Sequence, residues 1–466
     1  MTRSDPYQMR ARELCKAAGL DPDARVGEGR GMPQWCAFKQ AAQDEQYGPQ
    51  LLARKEPERF SMLIEADNDA EYANVQKVKQ TFAELMLTPN IKAGAVMPDA
   101  CPAGPLGAIP VGGVVSSTDI HPGFHSADIC CSMAISILDN VDPKLILDAG
   151  MAVSHFGAGG REPHTDMVMS AALATAMDAN PFLSSTLKTA QQHFGTQGDG
   201  NHFFYVGHLK STGQVALVTH HGSRAPGASL YKIGMEAAER YRKKIAPDTL
   251  PQNAWIPSGT IDGENYWAAL QLIRQWTKEN HFTIHDAVAK YVGVKVRGRF
   301  WNEHNFVFQK ADGLFYHGKG ATPAWKGFAA DATDLTIIPL NMAQPILIVK
   351  GKDNPEALGF SPHGAGRNLS RTGHFKSLGE HDPAEVLSRE TQGLDVRFFA
   401  GKPDLSELPS AYKNAQSVRA QIDKFGLAEL VDEVIPYGTI MAGDIQSEWR
   451  ERRAAKKALA KNTAPE

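Results

Sequence analysis

Several things are scarce in this chain of 466 residues, and each scarcity excludes something. No apolar run reaches membrane-spanning length, and the opening stretch "MTRSDPYQMRARELCKAAGL" lacks the apolar centre of a secretory signal. The expectation is a cytoplasmic protein with no membrane partner. Cysteine occurs five times (Cys15, Cys36, Cys101, Cys130, Cys131), too few and odd in number for a disulfide framework. Charge of one sign is lacking too: 49 Lys and Arg stand against 52 Asp and Glu, a formal net charge of −3. That balance excludes a general basic field for nucleic acid, so any such partner has to be held by a local patch. No internal repeat, low-complexity tract or Pro/Gly/Ser linker divides the chain. What is present, 42% hydrophobic and 22% charged residues, is enough for an ordinary globular core.

The pattern of apolar residues changes along the chain. "ARELCKAAGL" and "EYANVQKVKQTFAELML" repeat every three to four residues and predict helices before residue 90. From Ile91 to Leu138, short apolar runs alternate with Gly and Pro, the texture of strands joined by tight loops. Strands are expected at "GNHFFYVGHL", "GQVALVTHHGSR", "NFVFQ", "GLFYHGK" and "QPILIVKG", and long helices at "SLYKIGMEAAERYRKKI" and "NYWAALQLIRQWTKENHFTIHDAVAKYV". Without regular βαβ alternation, the expectation is an α+β fold, mixed sheets forming a central cleft with helical insertions. The expected division is an N-terminal helical extension over 1–90, a catalytic domain over 91–445 and a charged helix or tail over 446–466.

Five stretches concentrate metal-capable side chains: "HSADICCSM", "GDGNHFF", "THHGSR", "NEHNF" and "PHGAGR". A single histidine of this kind is usually structural, and vicinal Cys130 and Cys131 in an apolar run read first as small buried hydrophobes. Glycine beside the histidine in three stretches lets backbone approach a ligand closely. Thiolate, imidazole and carboxylate together suit a first-row transition metal rather than a site for Mg²⁺ or Ca²⁺ alone. The residues alone therefore point to a metal-dependent enzyme acting on something anionic.

Taken in order, "VMPDACPAGPLGAIPVGGVV", "HSADICCSMA", "GTQGDGNHFF", "HHGSRAPG", "EHNFVF", "HGKGATPAW", "SPHGAGRNLSRT" and "LPSAYKN" resemble the RtcB family of RNA-splicing ligases. The resemblance implies that His363 attacks the α-phosphate of GTP and carries GMP covalently. It implies two Mn²⁺ ions held by Asp128, Cys131, His202, His220 and His304, with Cys131 bridging. Asn201, Arg224 and Asn341 would contact the nucleotide or its phosphates; Gly364 and Gly366 would admit the phosphate, and Arg367 and Arg371 would neutralise it. Asp99 matches an aspartate implicated in the final proton transfer. The implied partners are GTP and RNA bearing 3′-phosphate or 2′,3′-cyclic phosphate and 5′-hydroxyl ends.

Departures from the family pattern cluster at the nucleotide. Tyr205 replaces a glutamate that reads guanine, Asn341 and Ile346 replace serines, Ala442 replaces a lysine, and Cys101 replaces a histidine. Each lost charge removes a contact worth about 1.5–3 kcal/mol. Two other readings follow: a metal-dependent phosphoesterase that needs no nucleotide, and a non-catalytic RNA-end binder. His121, His125, His221 and His317 are assigned no role, with His221 the natural rival to His220. Oligomeric state is left open.

Overall fold

The computed structural model describes residues 8–27, 31–39, 41–42, 50–161, 167–328, 333–379 and 382–444. The charged helix expected over 446–466 lies outside them. No helix among the described residues is long and apolar enough to cross a membrane.

The larger sheet has eight strands. Its order is Val296–Glu303, Ser132–Leu138, Val215–His221, Phe203–Leu209, Ala428–Met441, Ile346–Gly351 and Leu335–Ile338, each antiparallel to the next. Asp395–Phe398 joins the far half of Ala428–Met441 in parallel. The two outermost strands meet where the Ile337 backbone N–H donates to Asn302 Oδ1 at 2.8 Å, so the sheet curls almost closed. Strand alternation sorts the side chains. Met133, Ile135, Tyr205, Val218, Ile346 and Val434 form one buried cluster inside the curl. Phe204, Val206, Leu217 and Ile440 face outward onto Ile146 and Leu147 of helix Pro143–Val153 and onto Ile284 and Val288 of helix Ile261–Val292. A slip of one residue would exchange the two sets, so the register is strongly specified.

Helix Ile261–Val292 shows why its sequence folds as it does. Thr260 Oγ1 accepts the Gly263 N–H at 3.1 Å and caps its start, and Gly293, at φ 79°, ends it in the left-handed conformation. Tyr266, Leu270, Ile273, Trp276, His281, Ile284 and Val288 are all buried at intervals of three to five residues, making one face.

A second, five-stranded sheet runs Asn305–Gln309, Phe315–Lys319, Val111–Ser117, Ile91–Cys101 and Phe60–Met62. The chain passes between the sheets twice near one place. Residues 118–131 lead from Val111–Ser117 into Ser132–Leu138, and His304 alone separates Val296–Glu303 from Asn305–Gln309.

The α+β class, with mixed sheets and helical insertions, is what the sequence pattern led one to expect. Helices Gln8–Ala17 and Asp69–Leu85 stand where three-to-four spacing placed them. Strand Phe60–Met62, in the stretch read as helical, pairs in parallel with Ile91–Cys101 instead. The 14-residue strand Ala428–Met441 escaped the pattern because Pro436 and Gly438 interrupt its alternation; a register shift between those two residues absorbs them.

Candidate active site

Five side chains from four stretches of the chain converge where the two sheets meet. Cys131 Sγ lies 3.2 Å from His220 Nε2 and 3.6 Å from His202 Nε2. Asp128 Oδ2 is 3.3 Å from His202 Nε2, and His220 Nε2 is 3.2 Å from His304 Nε2. Two triads result, Asp128–Cys131–His202 and Cys131–His220–His304, with the ligand atoms of each within 4.8 Å of one another and the thiol common to both.

Local structure explains the convergence. Ser126 and Cys130 hold φ values of 61° and 58°, which costs non-glycine residues on the order of 1–3 kcal/mol each. Hydrogen bonds tie that loop to the other crossing: Cys130 N–H donates to Asn305 O at 2.7 Å, and His304 N–H to Cys131 O at 2.9 Å. Gly222, after the paired histidines, is required because a Cβ there would overlap Asp128 Oδ1. His220 Nδ1 donates to the Asn201 carbonyl at 2.9 Å, which leaves Nε2 with its lone pair facing the thiol.

His221 points the other way, as strand alternation demands. It stacks on His281 at 3.4 Å between ring centroids, in a buried network that includes Thr219, Ser132, Ser136 and His285. Cys130 is buried beside Thr277, Glu303 and Arg274, outside both triads.

The electrostatics fit a cation. Burial would raise the Asp128 carboxyl, but hydrogen bonding to His202 brings it down to about 2. Burial pushes the Cys131 thiol well up, and Asp128 pushes it further. Burial, with His202 close by, pushes His220 down to about 3, while burial and His363 push His304 well below its ordinary value. Neutral imidazoles and a thiol that needs a positive neighbour to ionise make a donor set that divalent metal completes.

His363 stands next to this cluster, its ring 4.9 Å from that of His304 between centroids. Fully buried Asp99 sits behind it: Oδ2 accepts from His363 Nδ1 at 2.5 Å, from the His363 N–H at 3.1 Å and from the Gly364 N–H at 3.3 Å. An oxygen already accepting two backbone donors fixes the ring proton on Nδ1, so Nε2 carries the lone pair. Gly366, at φ 70°, packs against Asp99 itself, since a Cβ would overlap the Asp99 carbonyl. Its small size thus serves a contact within the chain.

A cavity of about 330 Å³ opens beside His363, lined in part by Asn201, Asn341, Gly364, Arg367 and Arg371. A second, of about 780 Å³, shares Asp128, Asn201 and Arg371 with it and adds His202 and Arg224. Arg224 is anchored by Nη2 to the Gly157 carbonyl at 2.6 Å. Arg367 Nη1 and Arg371 Nε contact the two oxygens of buried Glu407 at 3.1 and 2.6 Å, so part of their charge is already matched inside the protein.

The family model described as tRNA-splicing ligase RtcB matches residues 144–442. The chain belongs to the RtcB family. The tRNA-splicing ligase RtcB of Archaeoglobus fulgidus is 28% identical over 459 residues, covering 82% of this chain and 92% of that protein. The Aeropyrum pernix protein of the same name is 27% identical over 338 residues, covering 63% and 68%. The RNA-splicing ligase RtcB1 of Escherichia coli is 30% identical over 245 residues, covering 49% and 57%. At the level of the family, this chain is an RNA ligase.

Of the residues expected at the site of this RtcB chain, Asp128, Cys131, His202, His220 and His304 form the cluster. His363, Asn201, Asn341, Gly364, Gly366, Arg367 and Arg371 line the adjoining cavity. Arg224 lines the second cavity alone, and Asp99 lies beneath His363. Sequence reasoning passed over Glu407, which holds both arginines, and Lys319, which reaches the cavity wall with its Nζ on the Ile109 carbonyl at 2.9 Å. Lys319 stands two residues after His317 in "HGKGATPAW", one of the motifs that resemble the family, but no role was assigned to it there.

Proposed function

We propose that this RtcB chain is a Mn²⁺-dependent, GTP-activated ligase that joins RNA 3′-phosphate or 2′,3′-cyclic phosphate ends to 5′-hydroxyl ends. The observation that carries the reading is His363, whose Nδ1 proton is held by Asp99 while its ring stands beside His304 of the thiol–imidazole cluster. The name of its relatives, tRNA-splicing ligase, supports RNA of that kind as the substrate.

Asp128, Cys131 and His202 would hold one ion and Cys131, His220 and His304 the other. When bound, they draw charge from phosphate oxygens and lower the cost of displacement at phosphorus. The chain's own residues do the rest. His363 Nε2 donates its lone pair to the α-phosphorus, the bond to the β-phosphate oxygen breaks, and pyrophosphate leaves. Asp99 keeps the Nδ1 proton in place and stabilises the charge that forms on the ring. An oxygen of the RNA 3′-phosphate then attacks the phosphorus on His363, and the N–P bond breaks, returning the lone pair to Nε2. A cyclic end is opened by water beforehand. Finally the 5′-hydroxyl attacks the activated 3′-phosphate, GMP leaves, and the hydroxyl proton passes to the His363–Asp99 pair. Arg371, which lines both cavities, would steady the phosphates throughout. All these residues fall within 91–445, the stretch proposed as the catalytic unit.

Purified protein with Mn²⁺ and α-labelled GTP is expected to give an acid-labile protein–GMP adduct that is absent in His363→Ala. No adduct with any nucleotide would end the proposal. Turnover of cyclic-phosphate RNA without nucleotide would then select the phosphoesterase reading.

A further inference from the structure

The cavity beside His363 has two unlike sets of lining residues. One is polar and holds Asn201, Arg367 and Arg371. The other is apolar and built on the larger sheet, where register places Phe203 opposite Met441 and Tyr205 opposite Thr439. Phe203 and Tyr205, two residues apart, lie on one sheet face with ring centroids 6.3 Å apart, and Phe203 lies 5.2 Å from His220. Leu340, Met342 and Ile346 complete this apolar end of the wall. An apolar floor thus begins beside the thiol–imidazole cluster.

The side-chain oxygens of Tyr205, Thr439 and Asn341 at this end are engaged by the protein. Tyr205 is buried and its hydroxyl donates to the Val434 carbonyl at 3.0 Å. Thr439 Oγ1 donates to the Phe204 carbonyl at 3.2 Å. Asn341 Oδ1 accepts the Ala343 N–H at 3.0 Å, so the side-chain carbonyl faces its own turn. Glu407, the carboxylate among the lining residues nearest the arginines, is held by Arg367, Arg371 and Tyr412. Among the described residues, no carboxylate or uncommitted side-chain carbonyl lines the apolar end to accept from the edge of a base.

We infer that this end holds the base of a nucleoside triphosphate by apolar enclosure without reading its edge, so that His363 takes nucleotide from ATP and GTP alike. The inference rests on the proposed nucleotide transfer to His363 and names its substrate class. A site that hydrogen-bonds a donor edge rejects analogues by about 10⁴–10⁵, whereas apolar pockets discriminate by only about 10–200. Both purines offer the same flat face, so selectivity falls at or below the lower bound of that apolar range.

The test measures adduct formation on the full chain with Mn²⁺ and α-labelled ATP or GTP, each as the only nucleotide. The expected result is labelling from both, with rates within about tenfold. Met342→Ala and Ile346→Ala are expected to slow both nucleotides by the same factor, leaving their ratio unchanged. Preference for one purine by more than about tenfold, or loss of one purine only in either variant, would overturn the inference while leaving nucleotide transfer standing. No adduct from any nucleotide would overturn both. Wild-type selectivity alone decides the matter if neither variant folds.

Discussion

Replacing Asp99 separates the role of its charge from that of its shape. All three of its donors, His363 Nδ1 and the backbone N–H groups of His363 and Gly364, meet the same oxygen, Oδ2. Asp99→Asn can therefore present a carbonyl oxygen to all three and keep the ring proton on Nδ1. What it loses is charge assistance, the difference between about 1.5–3 and about 0.5–1.5 kcal/mol for a hydrogen bond. A deficit of about 1–1.5 kcal/mol in stabilising the charged ring slows adduct formation about tenfold. Asp99→Ala removes the acceptor altogether and frees the tautomer, so a loss of about 10²-fold or more is expected. The Asn variant also turns an amide toward the site of Oδ1, which has no partner among the described residues, and should unfold about 1–3 kcal/mol more easily. Single-turnover labelling from α-labelled nucleotide measures the rates, and urea denaturation measures stability. An Asn variant as fast as wild type, or an Ala variant no slower than Asn, would refute the reasoning.

Cys131→Ser, at the ligand common to both triads, should cut metal content toward zero, while His202→Ala should retain about one ion; plasma emission spectrometry of dialysed protein distinguishes the two. Gly366→Ala forces a Cβ into the Asp99 carbonyl at a φ of 70° and should lower both stability and adduct formation, read by thermal melting and labelling. Trp276→Ala, in the centre of the long helix's buried face, should cost about 3–5 kcal/mol by urea denaturation with little change in metal content. Burial pushes His125 from its ordinary 6.5 down to about 4, so the unfolded chain takes up a proton that the folded chain refuses. Its contribution is complete above pH 6.5 and is lost as pH falls toward 4, up to about 3 kcal/mol; His125→Gln should flatten that part of the stability–pH curve.

The legible parts of the sequence were those where one periodicity rules. The buried face of Ile261–Val292 repeats every three to five residues without interruption, and Val215–His221 is a short apolar run between Gly-bearing loops. The five residues that meet in the cluster were singled out by the resemblance to the RtcB family; glycine beside the histidine in three stretches marked those only as candidates. Strand Ala428–Met441 was not, because its partners lie far away in sequence and its Pro and Gly mimic a loop. Between His220 and His221, only the pairing of His220 with Phe203 and Met133 settles which ring faces the cluster. Glu407 was hidden for a related reason: its partners Arg367 and Arg371 lie about forty residues away, on a loop and at the start of helix Arg371–Ser377.

Because Cys131 and His304 stand at two neighbouring places where the chain crosses from one sheet to the other, a cation held by both would act as a rivet through a seam. Loading it should slow amide exchange in Val111–Ser117 and Ser132–Leu138 together, joining two halves that would otherwise breathe separately.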